Sequence, residues 1–305
     1  MKRAALFIAI AAILFISGSC AERNYELRVA SYNIRNANPG DSLGGNGWHQ
    51  RGPIVAELIR FHDFDIFGLQ EVVNSQLNDL LAVMPEYRHI GGGRTDGKTK
   101  GEYSPVFYKH ETFDLLESGD FWLSETPSEP SKGWDAAVER ICSWGRFRVR
   151  ENGFEFWFFN LHMDHRGTEA RRQSAKLVLD KIADMCGNDQ VVLTGDFNVD
   201  QNNESYLLLS NSAILSDSYE LAGIRYALNG TFNNFKPDAW TESRIDHIFV
   251  TNGFSVQRYG ILTDSYRYSP ILENITSGGN FPEEVHYGES EVRMPSDHFP
   301  IIAIL

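Results

Sequence analysis

The segment with the clearest chemical potential runs from Val191 to Asn198 and reads Val-Val-Leu-Thr-Gly-Asp-Phe-Asn. Its apolar start predicts a short buried strand, and Gly195 allows the chain to break sharply where that strand ends. Asp196 and Asn198 are two residues apart, so in extended chain their side chains point the same way. A carboxylate and a carboxamide placed in this way can hold one water molecule or one phosphate oxygen. The alternative is that Asp196 only forms a turn or caps a helix.

Five other segments, far apart along the chain, place polar side chains at the ends of apolar runs or beside them. They are residues 31–35, 68–71, 160–165, 244–248 and 296–300. With these motifs in this order, the chain resembles the endonuclease/exonuclease/phosphatase superfamily, which has the DNase I-like fold. The resemblance runs from about residue 27 to residue 305, and it implies an α/β fold built as a four-layer α/β/β/α sandwich.

Glu71 is the first candidate metal ligand. It follows a run so apolar, residues 66–69, that the strand must be buried, and a carboxylate at its tip needs a partner. A divalent cation held through oxygen ligands would supply that partner, whereas a surface position at a strand end is the alternative. The resemblance implies that Glu71 binds Mg²⁺ or Mn²⁺, with Asn33 and Asp297 close by.

Histidines are the acid/base candidates because their unperturbed pKa lies near neutrality. A neutral histidine beside a carboxylate is held in one tautomer and can stabilise or protonate a phosphate oxygen. The resemblance pairs His298 with Asp246. It also pairs His162 with a glutamate, for which Glu102 is the positional candidate. His247 directly follows Asp246 on a predicted strand, so we expect it to point to the opposite face and to be structural.

The resemblance also implies a mechanism, which is metal-assisted in-line attack of water on phosphorus. Asp196, aided by Asn198, would orient and deprotonate the water. His162 and His298 would stabilise the transition state, while the cation offsets charge on the phosphate oxygens and the leaving group.

The elements that must position these residues alternate strands with a few helices. Strands are predicted over residues 27–33, 65–70, 105–109, 113–123, 145–151, 154–161, 191–196, 245–251, 256–263 and 299–305. Helices are predicted over residues 51–61, 75–84 and 169–186. Two packed sheets with helices outside would accommodate so many strands.

The amino terminus has the pattern of a targeting segment. Lys2 and Arg3 precede an apolar run over residues 4–16, which is too short to span a bilayer. Small residues then precede Cys20, which resembles a bacterial lipoprotein cleavage site; an ordinary secretory signal is the alternative. We therefore expect a signal peptide over residues 1–20, a tether over residues 21–26 and one domain over residues 27–305. The protein would be extracytoplasmic, monomeric and attached to the membrane only through a lipid on Cys20.

The net charge of the chain narrows the class of substrate. The chain has 28 basic and 41 acidic residues, a net charge of −13, whereas a nonspecific duplex binder gains most of its affinity by neutralising phosphates. This disfavours a general DNA-degrading role and favours a small phosphorylated substrate, although nucleic acid stays open.

Cys142 and Cys186 could form a disulfide, or both could be buried free thiols.

Three long connections are the candidates for substrate choice. Residues 91–100 form a basic, glycine-rich approach to Glu102 in which Arg94 could grip a phosphate, or they form a mobile surface hairpin. Residues 126–144 carry Trp134, Arg140 and Trp144, which could stack a base or sugar and clamp its phosphate, or could anchor the loop by packing. Residues 265–295 are long enough to form a lid. Together the connections favour a closed pocket over an open nucleic-acid groove.

Two classes of function are compatible with these motifs. The first is an extracytoplasmic metallophosphohydrolase that cleaves a small phosphodiester or phosphomonoester, with a DNase-like nuclease as its nearest variant. The second is a non-catalytic lipoprotein that uses the pocket only for binding. Because every motif position carries its catalytic residue type, we expect catalysis. Fold alone does not choose the substrate.

Overall fold

The structure is a computed structural model that describes residues 25–269, 274–275, 287–288 and 290–305. The predicted signal peptide, Cys20 and residues 21–24 of the predicted tether lie outside these ranges, as does much of the predicted lid over residues 265–295. Within the described ranges, none of the helices combines the length and the apolar character that a bilayer span requires.

The described elements alternate much as the sequence predicts. The strands are β1 (Arg28–Asn33), β2 (Ile66–Gln70), β3 (Tyr87–Ile90), β4 (Val106–Lys109), β5 (Phe113–Trp122), β6 (Ile141–Val149), β7 (Glu155–His162), β8 (Val191–Asp196), β9 (Ser216–Asp217), β10 (Ile224–Tyr226), β11 (Asp246–Val250), β12 (Arg258–Ile261), β13 (Tyr266–Tyr268), β14 (Asn274–Ile275), β15 (Tyr287–Gly288), β16 (Glu291–Arg293) and β17 (Ile301–Ile304). The α-helices are α1 (Trp48–Phe61), α2 (Asn74–Val83), α3 (Thr168–Cys186), α4 (Glu204–Ser210) and α5 (Ser218–Leu221). A 3₁₀ helix spans Pro39–Gly44.

Two large sheets form the centre of the fold. The first has the strand order β10-β12-β17-β1-β2-β4-β3, and the second has the order β5-β6-β7-β8-β11-β9. Each contains one parallel pair at its centre, β1 with β2 and β7 with β8. Parallel neighbours end at the same edge of a sheet, so the polar residues that follow these strands are brought together.

The alternation of side chains along each strand explains the layers. On β7, Phe156 and Phe158 belong to the core between the two sheets, whereas Trp157 and Phe159 face the opposite way. The outward-facing pair packs in one cluster with apolar residues of α3 and α4, and the outer face of the first sheet packs on α1 and α2. The result is the predicted α/β/β/α sandwich, which the structure confirms.

Strand and helix bounds agree with the sequence pattern where the pattern is long. The three longest helices and the strands that carry the motifs lie within a few residues of their predicted bounds. By contrast, β6 begins at Ile141, inside the predicted insertion, and β3 and α4 were not expected. β3 has four residues and α4 has seven, which is too short for a hydrophobic period to be recognised.

Cys142 lies on β6 and Cys186 at the end of α3, and both are buried free thiols. Of the two alternatives for these cysteines, the structure therefore has the unpaired one.

One polar side chain crosses the apolar interface between the sheets. Asn160 of β7 faces the inner side after Phe156 and Phe158, and it is fully buried. Its Nδ2 donates to the carbonyl oxygens of Leu69 at 2.8 Å and Pro105 at 3.0 Å, and its Oδ1 accepts from Gln70 Nε2 at 2.7 Å.

Asn160 also explains why β2 carries a glycine at its centre. A Cβ atom on Gly68 would overlap Asn160 Oδ1, so only glycine leaves room for this amide. The amide thereby connects the carboxyl end of β7 to the carboxyl end of β2, which lies in the other sheet.

We predict that Asn160→Ala lowers the free energy of unfolding by about 3 kcal/mol, because it removes several buried hydrogen bonds and leaves a space between the two sheets. Chemical denaturation followed by circular dichroism measures the change. Asn202→Ala, at an exposed position, is the matched control and should change stability by less than about 0.5 kcal/mol. Equal stability of the two variants would contradict a structural role for the Asn160 amide.

Candidate active site

The candidate site is a cavity of about 540 Å³ at the edge where the central strands of both sheets end. Strand register places its residues: Asn33 ends β1, Glu71 follows β2, His162 is opposite Asp196 across β7 and β8, and Asp246 begins β11 opposite Asp196. The predicted residues that line the cavity are Glu71, Arg94, Glu102, Arg140, His162, Asp196, Asn198, Asp297 and His298. Asn33 and Asp246, which are fully buried, are bonded to the carboxylate of Asp196 and the ring of His298, respectively.

Asn33 connects the two sheets at this edge. Its Nδ2 donates to Asp196 Oδ2 at 2.9 Å and to Glu71 Oε1 at 3.2 Å. The two carboxylates come from different sheets, since Glu71 follows β2 and Asp196 ends β8. One amide therefore fixes the separation of the predicted metal ligand and the predicted water-orienting residue.

His298 and Asp246 form the predicted pair. His298 Nδ1 lies 2.9 Å from Asp246 Oδ2, and His298 Nε2 lies 3.8 Å from Asp196 Oδ2. Burial alone would lower the pKa of His298, but the charges of Asp246 and Asp196 outweigh burial and raise that pKa to about 10. The ring is therefore an imidazolium at neutral pH, and both of its nitrogens are donors.

Asp196 lies on the cavity floor between two donors. Its Oδ1 accepts from the backbone N–H of Asn198 at 2.9 Å, and its Oδ2 accepts from Asn33. Burial, followed by the charge of Asp246, raises the pKa of Asp196 above its usual range. A carboxylate with a raised pKa is a better proton acceptor, which suits a residue that must deprotonate water. Asn198 adopts the left-handed conformation, with φ of 52°, which brings its side chain back over the site.

His162 is buried and differs in charge from His298. Asn198 Nδ2 donates to the carbonyl of Met163 at 3.0 Å and lies 3.0 Å from His162 Nε2, so this ring nitrogen accepts and carries no proton. Burial, followed by the positive charges of Arg140 and Arg94, lowers the pKa of His162 well below its usual value. The site therefore contains one neutral and one protonated histidine.

Glu71 and Asp297 form an oxygen-rich group that fits a divalent cation. Glu71 Oε1 accepts from Asn33, and Glu71 Oε2 accepts from Asn36 N at 3.2 Å. Burial raises the pKa of Asp297, and the charge of Glu71 raises it further, although His298 opposes both effects. Two carboxylates crowded in this way are suited to sharing a cation, and an all-oxygen donor set suits Mg²⁺.

A second group of ligand atoms lies deeper in the site. One ligand atom from each of Asp196, Asp246 and His298 lies within 4.8 Å of the others, which is close enough to hold a metal ion. The proton on His298 already offsets negative charge in this group. Arg35 likewise approaches Glu71 and Asp297, so a positive charge lies beside both groups, and the all-oxygen donors of the Glu71 group are what suit Mg²⁺ better than a group that includes a protonated imidazole.

Glu102 is not the partner of His162, and that prediction is wrong. Glu102 Oε2 instead accepts from Arg94 Nη1 at 2.6 Å, and Glu102 Oε1 accepts from Asn36 Nδ2 at 3.1 Å. Arg94 and Glu102 face each other across one short hairpin, because the backbone N–H of Arg94 donates to the Glu102 carbonyl at 2.9 Å. An arginine held that close outcompetes a buried neutral imidazole for the carboxylate.

The two predicted substrate-binding tryptophans do not line the cavity. Trp144 lies on β6 and packs on the outer face of the second sheet, with its ring centroid 5.5 Å from that of Trp157. Trp134 lies in the preceding loop, where its backbone N–H donates to the carboxylate of Glu125. Of the two alternatives for Trp144, substrate stacking or packing, the structure has packing. Arg140, which separates the two in sequence, does line the cavity.

Other lining residues were not predicted from the sequence. They are Arg35, Asn36, Asp41, Val138, His165, Phe232, Asn234, Phe235 and Ile245. Arg35 is held by Asp41 of the 3₁₀ helix, with Nε and Oδ2 2.9 Å apart, and its guanidinium reaches 3.8 Å from Asp297. Arg35 lies in the first motif, which was the available signal. No such signal was available for Asp41, because a loop sequence does not predict which of its charged side chains will contact the site.

His247 lies away from the cavity, as expected for a structural residue. It is fully buried, its Nε2 lies 3.1 Å from the carbonyl oxygen of Val199, and its ring packs on Phe197 and Tyr206.

A sequence model of the Endonuclease/Exonuclease/phosphatase family matches residues 30–298. A solved structure of an endonuclease/exonuclease/phosphatase family protein from Bacteroides thetaiotaomicron is 54% identical to this chain, with a TM-score of 0.84, and the match covers 92% of this chain and 97% of that one. A mannosyl-6-phosphatase from the same organism is 53% identical, with a TM-score of 0.83, and covers 92% of this chain and 99% of that one.

A more distant structure shares the fold alone. TDP2 from D. rerio, solved with a single-stranded DNA product, is 15% identical, with a TM-score of 0.63, and the match covers 92% of this chain and 98% of that one.

We predict that His162 stays neutral in the metal-free protein as the pH falls through its ordinary pKa of about 6.5, because burial and the charges of Arg140 and Arg94 lower its pKa. The neutral ring's contribution to stability is present above the unfolded pKa of about 6.5 and is lost as the pH falls below it. Long-range ¹H–¹⁵N NMR from pH 8 to pH 5 follows the ring, with His162→Gln to assign its signals. A midpoint between pH 6 and pH 7 would contradict the assignment of His162 as a neutral acceptor.

Proposed function

Since the chain belongs to the endonuclease/exonuclease/phosphatase family and is therefore a phosphoester hydrolase, we propose that its substrate is a phosphomonoester at the 6-position of a mannosyl unit. The single observation that carries this proposal is the similarity to the mannosyl-6-phosphatase, which is 53% identical over nearly the full length of both chains. The substrate would be a small extracytoplasmic sugar phosphate or the phosphorylated end of a glycan.

The composition of the cavity supports a small substrate. Three arginines line it, Arg35, Arg94 and Arg140, although the whole chain has a net charge of −13. The lining also contains five carboxylates, Asp41, Glu71, Glu102, Asp196 and Asp297, so the arginines provide local donors for one phosphate and not a broad basic surface. A duplex nucleic acid would need a broad basic surface, which a chain of this net charge is poorly suited to provide.

The residues of the chain can carry out hydrolysis as follows. Asp196, held by the backbone of Asn198 and the amide of Asn33, orients a water molecule and accepts its proton. His298, as an imidazolium, donates a hydrogen bond to an oxygen that gains negative charge in the transition state. Glu71, Asp297 and Asn33 would hold Mg²⁺ or Mn²⁺, which would offset charge on the phosphate oxygens and on the leaving group.

We also propose the location that the amino-terminal pattern predicts. Residues 1–20 would direct export, and Cys20 would carry the lipid that holds a monomeric enzyme at the outer side of a membrane. A sugar phosphatase in that position would act on glycans outside the cytoplasm.

We expect the chain from residue 21 onward to release inorganic phosphate from mannose 6-phosphate in the presence of Mg²⁺, and to be inactive with EDTA. Asp196→Asn should lower kcat by about 10²-fold or more, because it removes the proton acceptor. Asp184→Asn, an exposed change of the same kind on α3, is the control and should leave kcat unchanged. A phosphate-release assay with mannose 6-phosphate and glucose 6-phosphate measures the preference, and agarose electrophoresis of plasmid DNA incubated with the same enzyme tests for cleavage.

Two outcomes would overturn the proposed substrate. Plasmid cleavage at comparable enzyme concentration, with mannose 6-phosphate inert, would identify a nuclease. Failure to turn over any of the substrates, together with tight binding of mannose 6-phosphate, would identify a binding protein.

Metal binding has its own prediction. Addition of Mg²⁺ should raise Tm of the metal-free protein, because a ligand that binds only the folded state stabilises it by about 2.7 kcal/mol at one hundred times its Kd. Glu71→Gln should reduce this rise, whereas Glu57→Gln on the exposed face of α1 should not. Scanning fluorimetry over a range of Mg²⁺ concentrations tests this, and an unchanged response in Glu71→Gln would place the cation elsewhere.

A further inference from the structure

We propose that Arg140 and His165, held in place by Asp164, form a clamp for the terminal phosphoryl group that selects phosphomonoesters over phosphodiesters. This inference rests on the proposed function insofar as it concerns a monoester substrate, but it does not depend on which sugar carries the phosphate. The three residues are called the phosphoryl clamp below.

Arg140 is a buried cation with one unpaired donor. It is only 4% exposed, yet it lines the cavity. Its Nε lies 3.3 Å from Asp164 Oδ2 and its Nη2 lies 3.0 Å from His165 Nδ1, while its Nη1 has no hydrogen-bond partner among the described residues. A buried cationic N–H group without an acceptor is costly. A bound phosphate oxygen would supply that acceptor.

Asp164 is the residue that orients Arg140. Its Oδ1 accepts from the backbone N–H groups of Arg166 at 2.9 Å and Gly167 at 2.8 Å, and its Oδ2 accepts from Ala137 N at 3.1 Å. Burial opposes ionisation, but these hydrogen bonds and the charge of Arg140 hold the pKa of Asp164 well below its usual range. A permanent carboxylate thereby joins the loop before β6 to the loop after β7, and it fixes the guanidinium between them.

The hydrogen bond from Arg140 also decides the tautomer of His165. An arginine can only donate, so His165 Nδ1 accepts and the ring hydrogen is on Nε2. The side chain of His165 is half-exposed and lines the same cavity. The clamp therefore presents a cationic donor and a neutral donor from neighbouring positions.

Nearby charges distinguish this part of the cavity from the predicted cation site. Arg140, Arg94 and His162 line the same cavity, and the charges of the two arginines lower the pKa of His162. Both arginines are held by a carboxylate, Arg94 by Glu102 at 2.6 Å and Arg140 by Asp164 at 3.3 Å, but Arg140 also has a buried donor, Nη1, with no acceptor among the described residues. Glu71 and Asp297 instead surround Arg35. Arg140 is thus the arginine of the cavity best placed to bind an oxygen that the predicted cation does not.

The phosphoryl clamp would distinguish phosphomonoesters from phosphodiesters by the charge of the phosphate group and by the number of its terminal oxygens. A phosphomonoester is a dianion with three terminal oxygens, and arginine binds such groups strongly through paired donors. A phosphodiester has one negative charge, and its second ester group replaces one terminal oxygen. Since the clamp would then face an ester oxygen that is a poor acceptor, its donors would be left unpaired, and the diester would be disfavoured.

The test compares p-nitrophenyl phosphate with methyl p-nitrophenyl phosphate, which share a leaving group, using the Mg²⁺-loaded chain from residue 21 onward. We expect Arg140→Gln to lower kcat/KM for the monoester by about 10²-fold. For the diester the loss should be less than about fivefold. Arg166→Gln, an exposed arginine in the same loop, is the matched control and should change neither value. Equal losses for the two esters in Arg140→Gln would overturn the clamp.

A second measurement does not depend on turnover or on the stability of one variant. Isothermal titration of inorganic phosphate into the Mg²⁺-loaded protein should show about tenfold weaker binding for His165→Ala, whose exposed position tolerates substitution, and for Arg140→Lys. Unchanged phosphate affinity in both variants would overturn the clamp. A wild-type enzyme that prefers the aryl monoester but leaves mannose 6-phosphate intact would overturn the sugar assignment and support the clamp. A wild-type preference for the diester would overturn both.

Discussion

The amide of Asn33 is the contact on which the rest of the site depends. It donates from one nitrogen to Asp196, which ends a strand of the second sheet, and to Glu71, which follows a strand of the first. Without this donor each carboxylate would lose a hydrogen bond and keep its backbone donor, which is Asn198 N for Asp196 and Asn36 N for Glu71. Because Asn33 contacts both carboxylates, the packing of the two sheets sets the distance between Glu71 and Asp196.

Charge balance is the second constraint at this edge. Asp196, Asp246 and Asp297 are each at most 6% exposed, and burial of so many carboxylates disfavours the folded state unless positive charge is close by. His298 provides it for the first two, and Arg35 approaches the third. Functional sites commonly retain such locally unfavourable arrangements, which the surrounding core must offset.

Much of this edge could be predicted from the sequence because polar residues directly follow short apolar runs. Asn33, Glu71, His162 and Asp196 are placed by strand register, and a strand end constrains where a side chain can lie. Partner choice among loop residues is a different matter. Glu102 joins Arg94 because a hairpin brings their backbones together, and such pairings depend on backbone paths that no periodicity reveals.

The positions of two aromatic residues also could not be predicted from the sequence. Trp144 was placed in a loop because the start of β6 lacks a clear alternation, yet the strand turns it outward onto Trp157. Phe232 packs edge-on against His298, with ring centroids 5.1 Å apart, although nothing in its sequence neighbourhood distinguishes it from a core residue. In both cases the position depends on the three-dimensional path of the chain.

The two buried thiols have a consequence for how the protein reaches its folded state. Cys142 and Cys186 are unpaired and belong to the same apolar cluster between the second sheet and α3, where they act as small packing groups. Assembly of this domain therefore needs no oxidant or disulfide-exchange catalyst. A reducing buffer therefore leaves the covalent framework of the described residues intact.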